Sequence, residues 1–506
     1  MGSRRILGIC VTLLALVVAA SSACKNKTEN RAQATRAVVG GLAPNSWVVP
    51  QDVKPSNGVA LTQADWLNFA WQTFVALNWP STAPTNPSGI SGLPDGLLPL
   101  GASSSNGAMI PTAWLTFRDK SNTMLAEAQD PGPWQTNPLS LPAACAAVTP
   151  PYTVSPGFSP MLLDMISKFG NLAEASGPPL IEQSGWFVTY DIRINQSEYT
   201  YIQQNGYYNA AVQQSQEKTK GQLVGFPQTG QESMFNPPLP ALAQYGALEV
   251  KAAWRVLDPV KDKAIIPRYY TQTGYFLQQD GTTCEGPVLF GLIGLHILRL
   301  TPTTPATWFW ATFEQVDNVT PPAGGTSPAT LAAPNTPNGN CGTGKYNQPP
   351  PVLKPGQNVP WNNSNPPVNV CQVTDVSTAV QQVNRTWQGN VAGTVWANYQ
   401  LIDTINPSVK GKPAYSFPIS SATVNTNILA NTTMETYVQG AGPGNGQSCM
   451  DCHAFGAPQG APQNSTNQIF TFLLGDANPP PGLTAYRRQR LPAKVIHIIQ
   501  SMRRRK

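Results

Sequence analysis

The residues best suited to chemistry stand near the end of the chain, which reads Ser448-Cys449-Met450-Asp451-Cys452-His453. Cys-x-x-Cys-His is the attachment sequence of a c-type haem. Two thiols three positions apart form thioethers to the two vinyl groups of one porphyrin. The adjacent imidazole is then held beneath the ring, where it binds the iron. Cys449 and Cys452 are therefore the expected anchors of one covalent haem c, with His453 as axial iron ligand. Other uses of the pair fit less well. A zinc site needs about four ligands, and the chain has 3 histidines and no second Cys-x-x-Cys. A thioredoxin-like pair opens a helix in a βαβ setting, which the flanking sequence lacks.

The position of the motif adds information. Small electron-transfer cytochromes carry it near their start, with an axial methionine downstream. Here it lies near the end, and the only later methionine is Met502. The far side of the haem must then come from the large body or stand open. His296 is the first candidate sixth ligand, on an apolar run with Leu292, Gly294, Leu298 and Leu300 along one face. Met434 is a second candidate and His497 a weaker third. Six-coordinate haem favours electron transfer, whereas an open position admits small ligands. Glu435, close before the motif, is a further candidate partner of His453, although a surface helix position explains it as well.

The N-terminus fits export. Arg4 and Arg5 precede the apolar run Ile6 to Ala20, which is too short to span a bilayer comfortably, and small residues follow. Ser21-Ser22-Ala23-Cys24 resembles a bacterial lipobox, making Cys24 a candidate lipid anchor. Residues 1-23 read as a signal peptide and 24-60 as a polar tether. The expected location is the periplasm or an outer-membrane anchor. Of 8 cysteines, Cys10 goes with the signal, Cys24 with the anchor, and Cys449 and Cys452 with the haem. Cys145, Cys284, Cys341 and Cys371 remain, an even number that allows three pairings of two disulfides in an oxidising compartment. Cys341 with Cys371 is favoured, because both flank one Pro/Asn/Gly-rich stretch; Cys145 then pairs with Cys284.

Charge is unevenly placed. The formal net charge is +6, but Arg487 to Lys506 alone holds 8 Lys/Arg and no acid. Setting aside that tail and the two leader arginines leaves 22 basic against 26 acidic residues. Such a tail suits docking on anionic lipid or on an acidic redox partner, or a solvated end. Nucleic-acid binding is not expected, since the basic residues carry no recognition motif.

The elements that must position the motif follow from periodicity. With 50 Pro and 42 Gly among 506 residues, long helices cannot dominate. A helix is expected over Gln63 to Leu77, capped by Thr62 and Asp65, with Trp66, Phe69, Ala70, Thr73, Phe74 and Leu77 on one face. A second is expected from Ser159-Pro160, with Met161, Leu162, Met165, Phe169 and Leu172 inward. Trp186 to Asn195 and Glu249 to Val256 alternate apolar and polar and read as strands. On this reading Glu249, Lys251 and Arg255 form a solvated strand face. Arg268 to Leu277, Val288 to Leu300 and Thr307 to Gln315 are further strands, the last two covered on both faces. The stretch 318-370 reads as a long surface loop. A helix over Thr374 to Trp387, a strand over Thr394 to Thr404 and a helix over Ser421 to Gln439 lead to the haem motif. The 13 tryptophans follow strand and helix periods, so most belong to the core.

The expected fold class is α+β: a β-rich, antiparallel, sandwich-like body over 61-440 with a few helices. The haem-binding segment and basic tail occupy 441-506.

At Cys449-Met450-Asp451-Cys452-His453 the chain resembles bacterial monohaem c-type cytochromes. Phe69-Ala70-Trp71-Gln72-Thr73-Phe74-Val75-Ala76-Leu77-Asn78-Trp79-Pro80 and Glu249-Val250-Lys251-Ala252-Ala253-Trp254 are similar to a group of large exported bacterial cytochrome-like proteins. The resemblance implies covalent haem on Cys449 and Cys452, iron ligation by His453, and electron transfer to a partner protein. Two other function classes compete. One is a haem enzyme, a peroxidase, oxygenase or dehydrogenase, since the body is larger than burying one haem requires. The other is a surface binding module with a structural haem.

Overall fold

Helix α1, Gln63–Leu77, shows how local sequence sets the first element. The Thr62 hydroxyl accepts from the Asp65 amide, and the Asp65 carboxylate accepts from the Thr62 amide at 2.8 Å, a reciprocal cap. Burial opposes ionisation of Asp65, but hydrogen bonds from Thr62 and Ser56 more than offset it and hold the carboxyl below its ordinary range. Both ends of α1 lie where periodicity places them. Trp66, Leu67, Phe69, Ala70, Trp71, Phe74, Val75, Ala76 and Leu77 are all buried, so the helix is covered nearly all round.

The structure is a computed structural model. It describes residues 46–81, 92–103, 107, 109–134, 145, 161–164, 178–220, 224–230, 235–277, 283–304, 308–322, 328–337, 341, 345–350, 363–373, 375–406, 429–439, 453, 456–459 and 471–482. Residues from Trp47 onward belong to one unit.

Eight strands form one sheet: β1 Arg118–Asp119, β2 Met161–Asp164, β3 Thr189–Ile194, β4 Leu248–Leu257, β5 Thr271–Leu277, β6 Cys284–Arg299, β7 Phe309–Gln315 and β8 Tyr399–Ile405. The order is β1-β3-β4-β6, after which β6 divides its second edge. Its first half pairs with β5 and its second half with β7, and β7 pairs with β8. Every pairing is antiparallel except β2 with β5. The α+β class stands, and the layers facing the sheet among the described residues are helices and loops.

One face of β7 meets α1. Phe313 stacks on Phe74 at 4.1 Å between ring centroids, and Phe309 stacks on Trp66 at 5.4 Å. Helix α4, Thr378–Asn390, closes this side, its Trp387 ring parallel to Trp71 at 6.0 Å. The opposite face of β6 and β7 takes the C-terminal segments. Gly294 is needed there, because a Cβ would collide with the Thr433 hydroxyl.

Several expectations are corrected. Met161–Asp164 is a strand, not the first turn of a helix; a short apolar run has no period of its own, and the edge of β5 offers it a partner. Residues 165–177 of that expected helix lie outside the described residues. The expected helix over Ser421 to Gln439 is, where described, a turn at Asn431 followed by a 3₁₀ turn, Thr436–Val438. Tertiary hydrogen bonds to the sheet replace helical ones there. A 3₁₀ turn, Val395–Asn398, precedes β8. Helices α2, Gln196–Gln204, and α3, Ala210–Lys220, were not expected, although Asn195 caps α2 through the Glu198 amide. The body begins before residue 61: Val49 and Val53 are buried, and the Gln51 carbonyl accepts from Arg299. The stretch 318-370 is no mere surface excursion either, since Ala329, Thr330, Leu331, Val368 and Val370 are buried. Both favoured disulfides, Cys341–Cys371 and Cys145–Cys284, are formed.

Phe313→Ala leaves a cavity between α1 and the sheet. It is expected to cost about 3–5 kcal/mol, measured as a lower urea midpoint with unchanged slope.

Candidate functional site

Of the attachment motif, His453 is described, while Cys449, Met450, Asp451 and Cys452 lie outside the described residues. The His453 ring is half-buried and meets two aromatic rings edge to face: Trp310 of β7 at 4.4 Å and Phe472 at 4.9 Å. Its carbonyl accepts from the Gly456 amide at 2.9 Å. Gly456 lies so close to the Thr471 backbone that a Cβ has no room, which brings the chain after His453 directly onto residues 471–472.

Helix α3 and the loop after β1 hold this segment in place. The Gln459 amide donates to Gln213 Oε1 at 2.6 Å, and Gln213 Nε2 donates to the Leu474 carbonyl at 3.1 Å. Ala210 donates to the Asn478 carbonyl, and Asn478 Nδ2 donates to the carbonyls of Met124 and Leu125. Lys120 pairs with Asp476 at 2.8 Å on the partly exposed rim.

The sheet register defines what lies beneath. Glu249, Leu298 and Trp310 form one transverse row, Lys251, His296 and Thr312 the next, and Ala253, Gly294 and Glu314 a third. The turn at 431–435 sits on these rows. His296 Nε2 lies 2.9 Å from Glu435 Oε1, and its Nδ1 lies 2.6 Å from the Thr312 hydroxyl. Asn431 Nδ2 donates to Thr312 Oγ1 and to the Phe313 carbonyl, both at 3.0 Å. The Thr432 amide donates to Glu314 at 2.6 Å, and the Tyr190 hydroxyl donates to the Thr433 carbonyl at 2.7 Å.

Electrostatics differ between the two acids. Burial alone would raise Glu435, but facing His296 and nearby Lys251 hold it below the ordinary range. Burial dominates at Glu314 and pushes it up to about 7, despite the hydrogen bonds from Thr432 and Asn318.

These contacts decide the sequence candidates. His296 has both ring nitrogens engaged, so iron ligation would break its bonds to Thr312 and Glu435. Met434 is 0 % exposed and packed in the apolar core. Glu435 is mostly buried and bonded to His296. His497 lies outside the described residues. The solvated face expected for Glu249, Lys251 and Arg255 is corrected as well. Arg255 is buried and paired with Glu182 at 3.1 Å, and Glu249 is buried facing Glu198. Lys251 sits over the Tyr190 ring at 5.0 Å. Alternation of side chains was legible, but not that both faces are covered. Trp310 and Phe472 were missed as neighbours of His453, since nothing local distinguishes them from core aromatics.

Among the described residues, no three His, Cys, Asp or Glu side chains come together to hold a metal ion, and no helix is long and apolar enough to cross a membrane. Comparison with protein families, curated proteins and solved structures found no match.

The residues present fit a covalent haem. The donor set supplies two thiols and an imidazole, and the imidazole is set against the rings of Trp310 and Phe472.

Glu314 gives a pH test. Its folded-state value of about 7 exceeds the unfolded 4.5, so the native state holds the extra proton between these values. The stability contributed by this group is then fully present below about pH 4.5 and is lost as pH rises to about 7, by about 3 kcal/mol. Glu314→Gln is expected to remove that slope in urea titrations run from acid to neutral pH.

Proposed function

We propose that this chain is an exported monohaem c-type cytochrome that transfers electrons. The observation that carries the reading is the Cys449–His453 motif ending in an imidazole held by Trp310 and Phe472. The leader sequence and two disulfides support an oxidising compartment outside the cytoplasm.

Haem bound at Cys449 and Cys452 would supply one-electron chemistry at its iron. The chain's own residues then have separate tasks. Cys449 and Cys452 fix the porphyrin covalently, and His453 presents a ring nitrogen to the iron. Trp310 and Phe472 limit the rotation of His453 and keep water from its flanks, which lowers the local dielectric and favours the less charged, reduced state. Gln213, Asn478 and Asp476 hold the surrounding segment to the body, so the geometry changes little between redox states. Low reorganisation of this kind is what electron transfer requires. The basic tail from Arg487 onward supplies charge for docking an acidic redox partner or an anionic membrane surface.

One observation favours a second reading, a haem enzyme. Neither His296 nor Met434 stands ready as a second ligand, because His296 is bonded on both sides and Met434 is packed among apolar side chains.

Protein matured in a periplasm competent for haem attachment is expected to show one haem mass on the peptide containing Cys449 and Cys452. Cys449→Ala with Cys452→Ala should abolish it; a wild-type peptide without the adduct overturns the proposal. Electron transfer further requires a low-spin reduced spectrum that carbon monoxide leaves unchanged, whereas immediate carbon monoxide binding carries the enzyme reading. Trp310→Ala is expected to keep the adduct but shift the midpoint potential downward, as water reaches His453 and the more charged oxidised state gains solvation; an unchanged potential and spectrum would remove Trp310 from the site.

A further inference from the structure

Beside the His453 segment lies a pair of acids that no step above uses. Glu198, in the first turn of α2, is 0 % exposed, and Glu249 of β4 is 7 % exposed. They face each other. Neither carboxyl oxygen of Glu198, nor Oε1 of Glu249, meets a hydrogen-bond donor among the described residues. Two buried, facing carboxylates with three of their four oxygens lacking a donor cannot both stay ionised, so the missing donor is a proton shared between them.

The surroundings connect this pair to the haem segment. From β4 comes Glu249, with Lys251 two positions along the same face; from α2 comes Glu198. From the C-terminal segment comes Thr471, hydrogen-bonded to Glu249 and followed in sequence by Phe472, which packs on His453. Lys120, after β1, acts on Glu249 from the rim while paired with Asp476. Trp310, the other wall of His453, lies in the same transverse row as Glu249 with only β6 between them. That is about 10 Å across the sheet. A unit change of charge at a range of about 10 Å, in an effective dielectric of about 20, would alter a proton's affinity on the order of tenfold.

We propose that Glu198 and Glu249 form a redox-linked proton site. An electron taken up at the haem site from an external one-electron donor raises the affinity of this pair for a proton taken from water, and oxidation lowers it again. The inference rests on the haem reading above. Its direction follows from charge: reduction removes one positive unit beside the pair and favours its more protonated form. Burial, strengthened at Glu198 by the facing Glu249 charge, raises both carboxyls above their ordinary range.

The test is redox potentiometry of the haem-loaded protein between about pH 5 and 9, after mass spectrometry has verified the adduct. In wild type the midpoint potential is expected to fall by about 59 mV in total as pH rises through the titration of the pair, the tenfold change in proton affinity converted for one electron. Glu198→Gln, which keeps shape and supplies a donor to Glu249, should flatten that dependence, and Glu249→Gln should do the same. Infrared difference spectra give a second readout: a protonated-carboxyl band that changes between oxidised and reduced wild type and is lost in Glu198→Gln. A pH-independent wild type, or a slope that both variants keep undiminished, overturns the coupling while the haem reading stands. An absent adduct removes both, and is recognised before any potential is measured.

Discussion

From Phe290 onward every residue of β6 is buried, with β4 along one edge and β5 and β7 sharing the other. Neither edge nor face of that stretch is left to water, so each polar group facing it must find a partner inside the protein. The rest of the architecture follows from this requirement. Arg299 turns toward Thr73 of α1 and the Gln51 carbonyl, which draws the leading segment onto the body. Its guanidinium is brought down to about 10 by burial. His296 turns the other way and brings the 431–435 turn onto the sheet.

That turn sets the course of the chain toward the haem motif. Gly294 gives it clearance, and Glu435, Asn431 and Thr432 give it a register it cannot slip without stranding His296, Thr312 or Glu314. A buried polar network is costly when partly satisfied, and this one is closed among its own members. The same network accounts for the roles of His296 and Met434, which build the platform under the site.

The two faces of the sheet therefore do different work. One, with α1 and α4, is an aromatic core in which Trp66, Trp71, Phe74, Phe309 and Phe313 interlock. The other is a mixed surface of apolar and titratable side chains sealed by residues 429–438 and 471–478. Charges are poorly screened in such an interior, so an electron arriving near His453 would be felt by the acids beside it. A much smaller body could bury one haem; this one also holds fixed, buried titratable groups in the same sheet as Trp310, which packs on His453.

The local sequence carried whatever depends on neighbours along the chain. Thr62 and Asp65 specified the start of α1 because both halves of the cap lie within one turn, and the Cys449–His453 spacing is what carries the proposal of a haem attachment, because thioether chemistry requires it. The disulfide between Cys341 and Cys371 was legible because a composition change brackets it. Tertiary structure alone decided the rest. Met161–Asp164 became a strand because β5 had an edge to fill. Glu249 became buried because α2 and the C-terminal segment cover it, and Arg255 because Glu182, Ser184 and Thr330 do. Trp310 reached His453 because a register brings together residues far apart in the chain. Periodicity reports which side chains share a face; what covers that face is settled by segments hundreds of residues away, whose contacts leave no periodic mark.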